Sequence, residues 1–509
     1  MKVLYSLCIA TTMLACSACG QVAYKAVDQA AARSTQREQA GDIQVPAGFH
    51  AVRVVEGLDY PSSMTWDADG HLYILESHTV PVPLLHPRIL KVGDGGKLEE
   101  LKLSGSQAPG GEAAIGLAFH DGYLYFSHEE KDGSWGISRM RPEGGDVEAV
   151  MRGLPGSGDH NVNYLVFDKA GNLYFGLGSA TNSGVVSSHD PVNHKWLEKR
   201  PTMHDIPCRD LSLREAAFRD DNALTEDPAD HAETGAYSPY GQPAPARIRG
   251  AALCTSAVYR LRPGASSPDL LAWGFRNPVA LAFSPEGTLL IGMHGADVRG
   301  TRPVLDDPDA IYRLREGAWY GWPDYSAELV PLTDPRYRSP HEFFAEGQDK
   351  LDFVIDHGAS GLRPPDRSLL VAATDPHAAL GGMTVVPAGG PFGAFAGQLL
   401  ISEMGDFRPT TDAVHPERHA GFQVETVDLR SGRRAVFARN RGEGPALPAS
   451  RLDLTDGFER PVDVKVGPDG LVYVLDFGVF EPTAKAAQVM PKTGKVFRIE
   501  PLAAATSSR

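Results

Sequence analysis

The sequence predicts an all-β protein folded as a six-bladed β-propeller with a long irregular insertion between blades 3 and 4. The main observation is a pattern that occurs six times: an alternating apolar segment, a turn that ends in glycine, and a second apolar segment. The repeat glycines are Gly70, Gly122, Gly171, Gly287, Gly397 and Gly470. The second observation is the content of turn-forming residues. There are 54 glycines and 39 prolines in 509 residues, which suits many short strands better than long helices.

Each repeat predicts a β-hairpin, because period-two alternation on both sides of a tight turn is typical of two antiparallel strands. Further apolar segments between the repeats are the candidate outer strands. They comprise residues 89–92, 258–261, 311–314 and 496–499. A hairpin with its outer strands forms one propeller blade, and radial repetition of blades leaves only short, protected sheet edges. We therefore expect the propeller to cover residues 46–502, with a short tail at 503–509.

The interval between Gly171 and Gly287 is much longer than the interval before it, which predicts a polar insertion at roughly residues 183–250. The insertion contains Cys208, and Cys254 follows it. In an oxidising compartment such a pair is usually a disulfide, which we predict here. Either the insertion forms a lid over the mouth of the channel and brings His204 and Asp205 to it, or it is a surface loop.

The N-terminus is typical of an export signal. A lysine at position 2 precedes a short apolar run at 3–14, which is too short to span a bilayer, and small residues follow it. Residues 13–16 resemble a bacterial lipobox with Cys16 as the lipidated residue, and Cys19 is a weaker candidate. We predict a lipoprotein-type signal peptide at 1–19 and a polar tether at 20–45. The protein would then lie on the periplasmic face, held to a bacterial membrane only through its lipid.

The net charge of −15 argues against a nucleic-acid partner, because phosphate binding needs clustered lysines and arginines. The cysteines show neither a haem-attachment motif nor the spacing of a zinc site. The sequence also lacks the nucleophile elbow of serine hydrolases, and it has no phosphate-binding or dinucleotide-binding loop in a strand–helix context.

The hairpin geometry predicts where the candidate functional residues lie in the propeller. In a propeller the inner strand runs along the channel and the second strand returns, so the start of the first and the end of the second lie at one mouth. Polar residues occupy these two positions in most repeats. At the start are Tyr60, Glu112, His160, Asn161, Arg276, Asn277, His377 and Arg460, and at the end are Glu76, His128, Ser179, His294, Glu403 and Asp476. Because polar residues occupy the same two positions in most repeats, which we call their shared phase, we predict a polar ligand site at this mouth.

Each of these residues also has a structural interpretation. Arg276 and Asn277 precede a proline and could cap the start of a strand, and His160 could be a solvated loop residue. Functionally, a neutral histidine is a competent general base, and an arginine can hold a carboxylate or a developing oxyanion. Carboxylates and backbone carbonyls can bind Ca²⁺.

At these residues the sequence resembles the glucose/sorbosone dehydrogenase family of propeller enzymes that use pyrroloquinoline quinone (PQQ). The resemblance runs from about residue 45 to residue 502. The matching segments are His-Asn-Val-Asn at 160–163, Trp-Gly-Phe-Arg-Asn-Pro at 273–278, Asp-Asp-Pro-Asp at 306–309, Tyr-Gly-Trp-Pro at 320–323 and Arg-Pro-Val-Asp-Val at 460–464. Gly-Ser-Ala-Thr-Asn at 178–182 is more similar to the sorbosone branch.

The resemblance implies a quinoprotein oxidoreductase that oxidises a sugar, a related polyol or an aldehyde. His160 would take the hydroxyl proton while a hydride passes from carbon to PQQ, and Arg276 would polarise the quinone oxygens. The implied cofactor-binding residues are Asn277, Arg460, Arg408, His377 and Glu76. The carbonyls of Gly295 and Ala296, together with Asp309, would bind Ca²⁺. The resemblance does not identify the electron acceptor.

The sequence departs from the family pattern at several positions. Ser179 replaces an acidic residue that orients the base, Glu403 stands near the place of a quinone-binding lysine, and Val462 replaces a second arginine. Two alternatives therefore stay open. One is a non-catalytic envelope propeller that has lost its cofactor. The other is a calcium-dependent hydrolase of the lactonase type, with Glu76, Glu112, Glu403 and Asp476 as ligands.

Overall fold

The computed structural model describes residues 41–77, 86–105, 111, 113–156, 158–190, 192, 196–225, 227, 229–483 and 487–502. The predicted signal peptide with Cys16 and the predicted tail lie outside these residues, as does Glu112. The six-bladed propeller is confirmed, because six antiparallel sheets of at least four strands each follow one another along the chain. Among the described residues, no helix is both long and apolar enough to cross a membrane.

The first two strands of the chain belong to the last blades, and the next sheets are blades 1 to 3. The leading strands are β1 (Ile43–Gln44) and β2 (Phe49–Leu58). Blade 1 comprises β3 (Pro61–Trp66), β4 (Leu72–Glu76), β5 (Arg88–Val92) and β6 (Leu98–Glu100). After β7 (Leu103–Ser104), blade 2 comprises β8 (Ala114–His120), β9 (Tyr123–Glu129), β10 (Trp135–Met140) and β12 (Glu148–Leu154), and the short β11 (Gly145–Asp146) pairs with β7. Blade 3 begins with β13 (Val162–Phe167) and β14 (Leu173–Leu177) and ends with β19 (Ala257–Leu261) and β20 (Asp269–Trp273). The insertion carries β15 (Leu211–Ser212), β16 (Ala217–Asp221), β17 (His231–Gly235) and β18 (Arg247–Ile248).

Blades 4 to 6 complete the ring. Blade 4 comprises β21 (Asn277–Phe283), β22 (Leu289–His294), β23 (Pro308–Arg313) and β24 (Leu370–Pro376). Blade 5 comprises β25 (Leu380–Val385), β26 (Leu399–Glu403), β27 (Gln423–Val427) and β28 (Arg434–Asn440), with β1 at its outer edge. Blade 6 comprises β29 (Pro461–Val466), β30 (Val472–Asp476) and β33 (Gly494–Pro501), with β2 outermost. Between β30 and β33, β31 (Phe480–Pro482) pairs with β32 (Ala487–Val489) in a separate two-stranded sheet. Short 3₁₀ turns cover Asp94–Gly96, Pro335–Tyr337, His341–Phe343, Arg367–Leu369, Gly393–Phe395 and Ala449–Arg451.

The turns explain why glycine marks the repeat. All six repeat glycines have a positive φ, between 76° and 85°, which side chains rarely adopt. The inner strands contact one another in a closed ring, in the order β3, β8, β13, β21, β25, β29 and back to β3. A large apolar cluster lies between each pair of neighbouring blades, as where Tyr73 and Leu75 of blade 1 meet Leu117 and Phe126 of blade 2. Burial of these faces holds the blades together.

Tyr164 crosses the central channel from blade 3. Its hydroxyl lies 2.7 Å from the carbonyl oxygen of Ser62 in blade 1 and 2.9 Å from that of Val462 in blade 6, and donates toward both. The ring is also closed at its rim, because β2 pairs antiparallel with β33, with Ala51 opposite Ile499. The second strand of the chain and the last one therefore share the sheet of blade 6.

The position of the long insertion differs from the prediction. Residues 178–256 connect β14 to β19, and these two strands pair within the same sheet. The insertion therefore lies inside blade 3 and does not join blade 3 to blade 4. The prediction placed it wrongly because the repeat glycine marks only the first two strands of a blade. The predicted disulfide between Cys208 and Cys254 is confirmed and links two points of the insertion that are 46 residues apart.

Two further features were missed at the sequence level. A second insertion, residues 314–369, separates β23 from β24 inside blade 4. The long interval between Gly287 and Gly397 was the available signal for it. The predicted tether also extends too far, because Ile43 and Gln44 pair with Asn440 and Arg439 of blade 5. The propeller therefore includes residues before 46.

Candidate functional site

A cavity of about 110 Å³ lies at one mouth of the channel, where blades 3, 4 and 5 meet. Its walls come from the starts of inner strands and the ends of second strands, the phase at which the sequence carries its polar residues. The lining residues are His160, Arg276, His294, Gly295, Asp297, Arg299, Asp307, Asp309, His377, Ala379, Phe407 and Thr411. Five of the residues singled out from the sequence for roles in chemistry or binding therefore share one cavity, namely His160, Arg276, Gly295, Asp309 and His377.

His160 is held in one tautomer by its neighbour Ser179. Its Nδ1 lies 3.2 Å from both the carbonyl oxygen and the hydroxyl of Ser179, and because a carbonyl only accepts, Nδ1 carries the proton. Burial lowers the pKa of His160 well below its usual value, and the nearby charges of Arg276 and Arg299 lower it further. The ring is therefore neutral at neutral pH, with the lone pair on Nε2 available as a base.

Ser179 is fixed in turn by the insertion of blade 3. Its hydroxyl donates to the carbonyl oxygen of Thr181 at 2.5 Å. The carboxylate of Asp205 accepts from the amide of Ala180 at 2.7 Å and from the hydroxyls of Thr181 and Thr255. Of the two alternatives for the insertion, this contact favours the one in which it reaches the mouth. It brings Asp205 to the loop behind the base, whereas His204 bonds locally to the carbonyl oxygen of Thr202.

Two buried arginines beside His160 belong to a closed ion network. Arg276 donates to Asp297 at 2.7 Å and to the carbonyl oxygen of Gly295 at 2.6 Å. Arg299 pairs with Asp159 at 2.6 Å, with Asp190 at 2.5 Å and with Asp297 at 2.9 Å. Burial alone would raise the pKa of Asp297, but the two guanidinium groups hold it well below its usual range. Three carboxylates thus compensate two cations, and the network ties the insertion to blade 4.

Asn277 lies behind the cavity wall and fixes His294. Its Oδ1 accepts from Asn163 at 2.6 Å, and its Nδ2 lies 3.1 Å from Nδ1 of His294. Since Nε2 of His294 lies 2.6 Å from the carbonyl oxygen of Leu380, that nitrogen is the donor and Nδ1 the acceptor. Asn277 therefore orients a cavity residue and has both of its polar atoms engaged in doing so.

Two of the predicted calcium ligands, the Gly295 carbonyl and Asp309, are engaged by other groups of the chain in this arrangement. The oxygen of Gly295 lies 2.6 Å from the Arg276 guanidinium, so a cation bound there would meet a fixed positive charge. Asp309 accepts from the amides of Gly295 and Leu380 through its two oxygens. The amide of Ala296 donates to Asp307, and burial raises the pKa of that carboxyl to about 7. Among the described residues, the only acidic and histidine triads close enough to share an ion are Asp67–Asp69–His71 and Asp306–Asp412–His415, and neither contains Asp309.

Like Asn277, three further predicted cofactor-binding residues do not line the cavity. Glu76 accepts from Arg88 and from the amide of Asp59 within blade 1 and its margin. Arg408 pairs with Asp412, at 3.0 and 3.1 Å. Arg460 is buried and donates to four backbone carbonyls, of Met404, Gly405, Asp406 and Phe480, with three phenylalanine rings around it. Burial lowers the pKa of Arg460 to about 10. Side chains this deeply buried need partners of their own, and the fold supplies them.

Some buried polar atoms around the cavity have no such partner. Nε2 of His377 and the hydroxyl of Thr411 form no hydrogen bond among the described residues, although Nε2 lies 3.7 Å from the Asp412 carboxylate, and both side chains line the cavity. Nη1 and Nη2 of Arg408 also lack a well-directed hydrogen bond, although Nη2 contacts Asp412. Buried polar atoms are nearly always satisfied, so unpartnered ones beside a cavity indicate a polar or anionic ligand. Of these groups, the Thr411 hydroxyl lines the cavity and can donate to an oxygen of a quinone cofactor.

The acids proposed for a hydrolase do not converge. Glu403 is held by Gln423 at 3.0 Å, and burial together with the neighbouring Glu425 raises its pKa well above the usual value. Asp476 accepts from the backbone amides of Glu459, Arg460 and Gly478. With Glu76 bound to Arg88, none of the three described acids lines the cavity. The residues that sequence reasoning missed are instead Asp159, Asp297 and Arg299. The signal for two of them was their position three and five residues after His294.

The fold is similar to that of several solved structures. The iodide structure of a Trichoderma reesei protein of Carbohydrate-Active Enzymes Family AA12 has a TM-score of 0.53 at 14% identity, covering 92% of this chain and 100% of that chain. The calcium structure described under the same name has a TM-score of 0.51 at 14% identity, covering 92% and 98%. The PQQ-bound aldose sugar dehydrogenase of Streptomyces coelicolor has a TM-score of 0.48 at 16% identity, covering 90% and 97%. No family model matches the chain, and no curated protein does. The likeness to the two Trichoderma structures shows that the chain shares their fold.

Proposed function

We propose that this protein is an oxidoreductase that removes a hydride from a sugar or related polyol, with His160 as the general base and a PQQ-type quinone as the hydride acceptor. The observation that carries the proposal is the state of His160. It is neutral, its Nδ1 proton is directed at Ser179, and its free nitrogen belongs to a cavity-lining ring beside a fixed arginine. The Trichoderma structures are described as carbohydrate-active enzymes, and carbohydrate is the substrate class that we propose here.

The chain's own residues would act as follows. Nε2 of His160 takes the proton of the substrate hydroxyl, and the imidazolium that forms is stabilised by the Ser179 carbonyl at Nδ1. Arg276, held rigidly by Asp297 and Gly295, provides a preorganised positive charge near the reacting oxygen. The Thr411 hydroxyl and the ring of His377, both of which line the cavity, would contact the quinone. When bound, the quinone supplies the two-electron acceptor that these side chains lack.

The proposal is tested by titrating the purified protein with PQQ, with and without Ca²⁺, and by following dye reduction with a panel of aldoses. We expect saturable quinone binding and sugar-dependent dye reduction. The variant His160→Gln should bind the quinone but turn over about 10²- to 10⁴-fold more slowly, because it lacks the base. His231→Gln, at an exposed position in the insertion, is the matched control. Turnover by His160→Gln equal to that of the control would refute the role of the base.

A specific observation favours the non-catalytic alternative. The cations that a PQQ carboxylate would seek are already compensated, since Arg276 and Arg299 face Asp159, Asp190 and Asp297. Arg460 is likewise occupied by backbone carbonyls. A binding propeller without a cofactor would show no saturable PQQ binding at micromolar concentrations and no dye reduction. The titration therefore separates the two functions.

A further inference from the structure

A second cavity adjoins the first and is larger, with a volume of about 310 Å³. We call it the second groove. Its walls come from the two insertions, from the loop after β22 and from the loop after β26. The lining residues are His189, Val298, Arg299, Gly300, Thr301, Glu342, Phe343, Phe344, Ala345, Pro409, Thr410 and Ala413. None of the five insertion residues in this set has a part in the chemistry proposed for the first cavity, and neither does Thr301.

A short ridge separates the two cavities. The amide of Val298 donates to the carbonyl oxygen of Thr411 at 2.8 Å, and Val298 forms a parallel bridge with Asp412. Arg299 lines both cavities, and Thr411 of the first cavity follows Thr410 of the second in the chain. The two cavities therefore lie side by side, with Arg299 in the wall of each.

The second groove has the mixed lining of a built ligand site. Thr301 is 2% exposed, and its hydroxyl forms no hydrogen bond among the described residues. A buried hydroxyl without a partner is unfavourable, so a ligand that bonds to it is expected. The carboxylate of Glu342 is exposed, and Phe343, Phe344 and Pro409 supply apolar surface. Apolar faces together with a few polar atoms are the usual lining of a small-molecule site.

The two volumes suggest how one substrate would divide between the cavities. Small-molecule pockets usually measure roughly 300–1,000 Å³. The second groove, at about 310 Å³, falls in this range, whereas the first cavity, at about 110 Å³, does not. The first cavity is too small to hold a saccharide unit together with the quinone, so most of a substrate must lie outside it. A saccharide unit, with hydroxyls around an apolar ring face, matches the lining of the second groove.

We propose that the second groove is a subsite for the next saccharide unit of a substrate longer than one sugar, with Thr301 and Glu342 as its hydrogen-bonding residues. This proposal rests on the function proposed above for the site of His160. The reacting unit would lie at His160 and the second unit across the ridge, where the two insertions cover it. The inferred substrate class is a disaccharide or longer glycoside, with a free monosaccharide as a poorer substrate.

The test compares glucose with maltose, cellobiose and lactose, in oxidation by the quinone-loaded protein and in calorimetric binding to the protein without quinone. Thr301→Val removes only the hydroxyl and keeps the shape of the side chain. Loss of one hydrogen bond should weaken disaccharide binding and raise the disaccharide KM by about 3- to 10-fold, with the glucose KM unchanged. Glu342→Gln should act in the same direction. Thr65→Val, on the inner strand of blade 1, is the control that should change neither.

The outcomes separate the two proposals. Disaccharide binding that depends on Thr301 without any sugar oxidation would support the groove and refute the proposed enzyme. Oxidation in which glucose and the disaccharides respond equally to Thr301→Val would support the enzyme and overturn the groove. Absence of calorimetric binding by all three disaccharides would overturn the groove whatever the activity. Each variant must give the same circular dichroism spectrum as wild type, which shows that it is folded. If Thr301→Val fails to fold, Glu342→Gln provides the second measurement, because Glu342 is exposed.

Discussion

Asp205 offers a direct test of the link between the insertion and the candidate base. Its carboxylate is fully buried and accepts hydrogen bonds from Ala180, Thr181 and Thr255. Burial raises its pKa from 3.8 to about 6 in spite of these bonds. The perturbation that isolates this charge is Asp205→Asn, because asparagine has the same shape and does not titrate in this range.

The expected magnitude follows from the raised pKa. The folded protein holds the Asp205 proton more tightly than the unfolded chain, so its contribution to stability is greatest below pH 3.8 and is lost as pH rises to about 6. About two pH units at 1.36 kcal/mol each give a loss of about 3 kcal/mol. Asp205→Asn has no such loss. Its free energy of unfolding, relative to wild type, should therefore increase by about 2–3 kcal/mol between pH 4 and pH 7.

Urea unfolding followed by tryptophan fluorescence at several pH values measures this difference. The raised pKa values of Asp307 and Asp476 are present in both proteins and cancel. Asp210→Asn, at an exposed position in the same segment, controls for the loss of one negative charge. A difference between Asp205→Asn and wild type that stays constant from pH 4 to pH 7 would refute the reasoning, because it would mean that the carboxyl is not desolvated in the folded protein.

Four further predictions concern the propeller and its base. The acid limb of kcat/KM should lie below pH 6.5, because the pKa of His160 is lowered and the neutral ring is the active form; a limb above pH 6.5 would contradict this assignment. Arg460→Met should lower the free energy of unfolding by about 3 kcal/mol or more in urea, since several buried carbonyls lose their donor; an unchanged urea midpoint would rule out that role. Replacing Cys208 and Cys254 by serine should lower the free energy of unfolding by about 4 kcal/mol, the value expected for a closed loop of this length. Wild type unfolded in the presence of a reductant should show the same loss. Tyr164→Phe should lower the free energy of unfolding by about 1 kcal/mol, which is measured as a lower midpoint of thermal unfolding. A midpoint equal to that of wild type would show that the hydroxyl does not bridge the blades.

The hairpins were predictable from the sequence because each has a local cause. A glycine with positive φ ends each tight turn, and alternating apolar residues flank it, so one short window carries the whole signal. The phase of the polar residues was predictable for the same reason. It indicated that His160, Arg276 and His377 lie at one mouth, where they line one cavity.

Features that depend on distant partners could not be predicted in this way. Arg299 is held by Asp159, Asp190 and Asp297, which come from three separate segments, and no local pattern indicates that they meet. Arg460 has the right phase for the mouth, but its own surroundings hold it in place through backbone carbonyls and aromatic rings. A residue's place along a strand fixes which end of the propeller it occupies, whereas tertiary contacts decide whether its side chain is available to a ligand.

The pairing of β2 with β33 has a consequence for how the chain reaches its native state. The strand at Phe49–Leu58 is made early in synthesis, and its partner at Gly494–Pro501 is made last. Until then the early strand presents an unpaired edge, which is a hazard for aggregation. Completion of the last sheet therefore waits for nearly the whole polypeptide. A truncation that removes only the final strand should leave six hairpins that cannot become a stable, soluble ring.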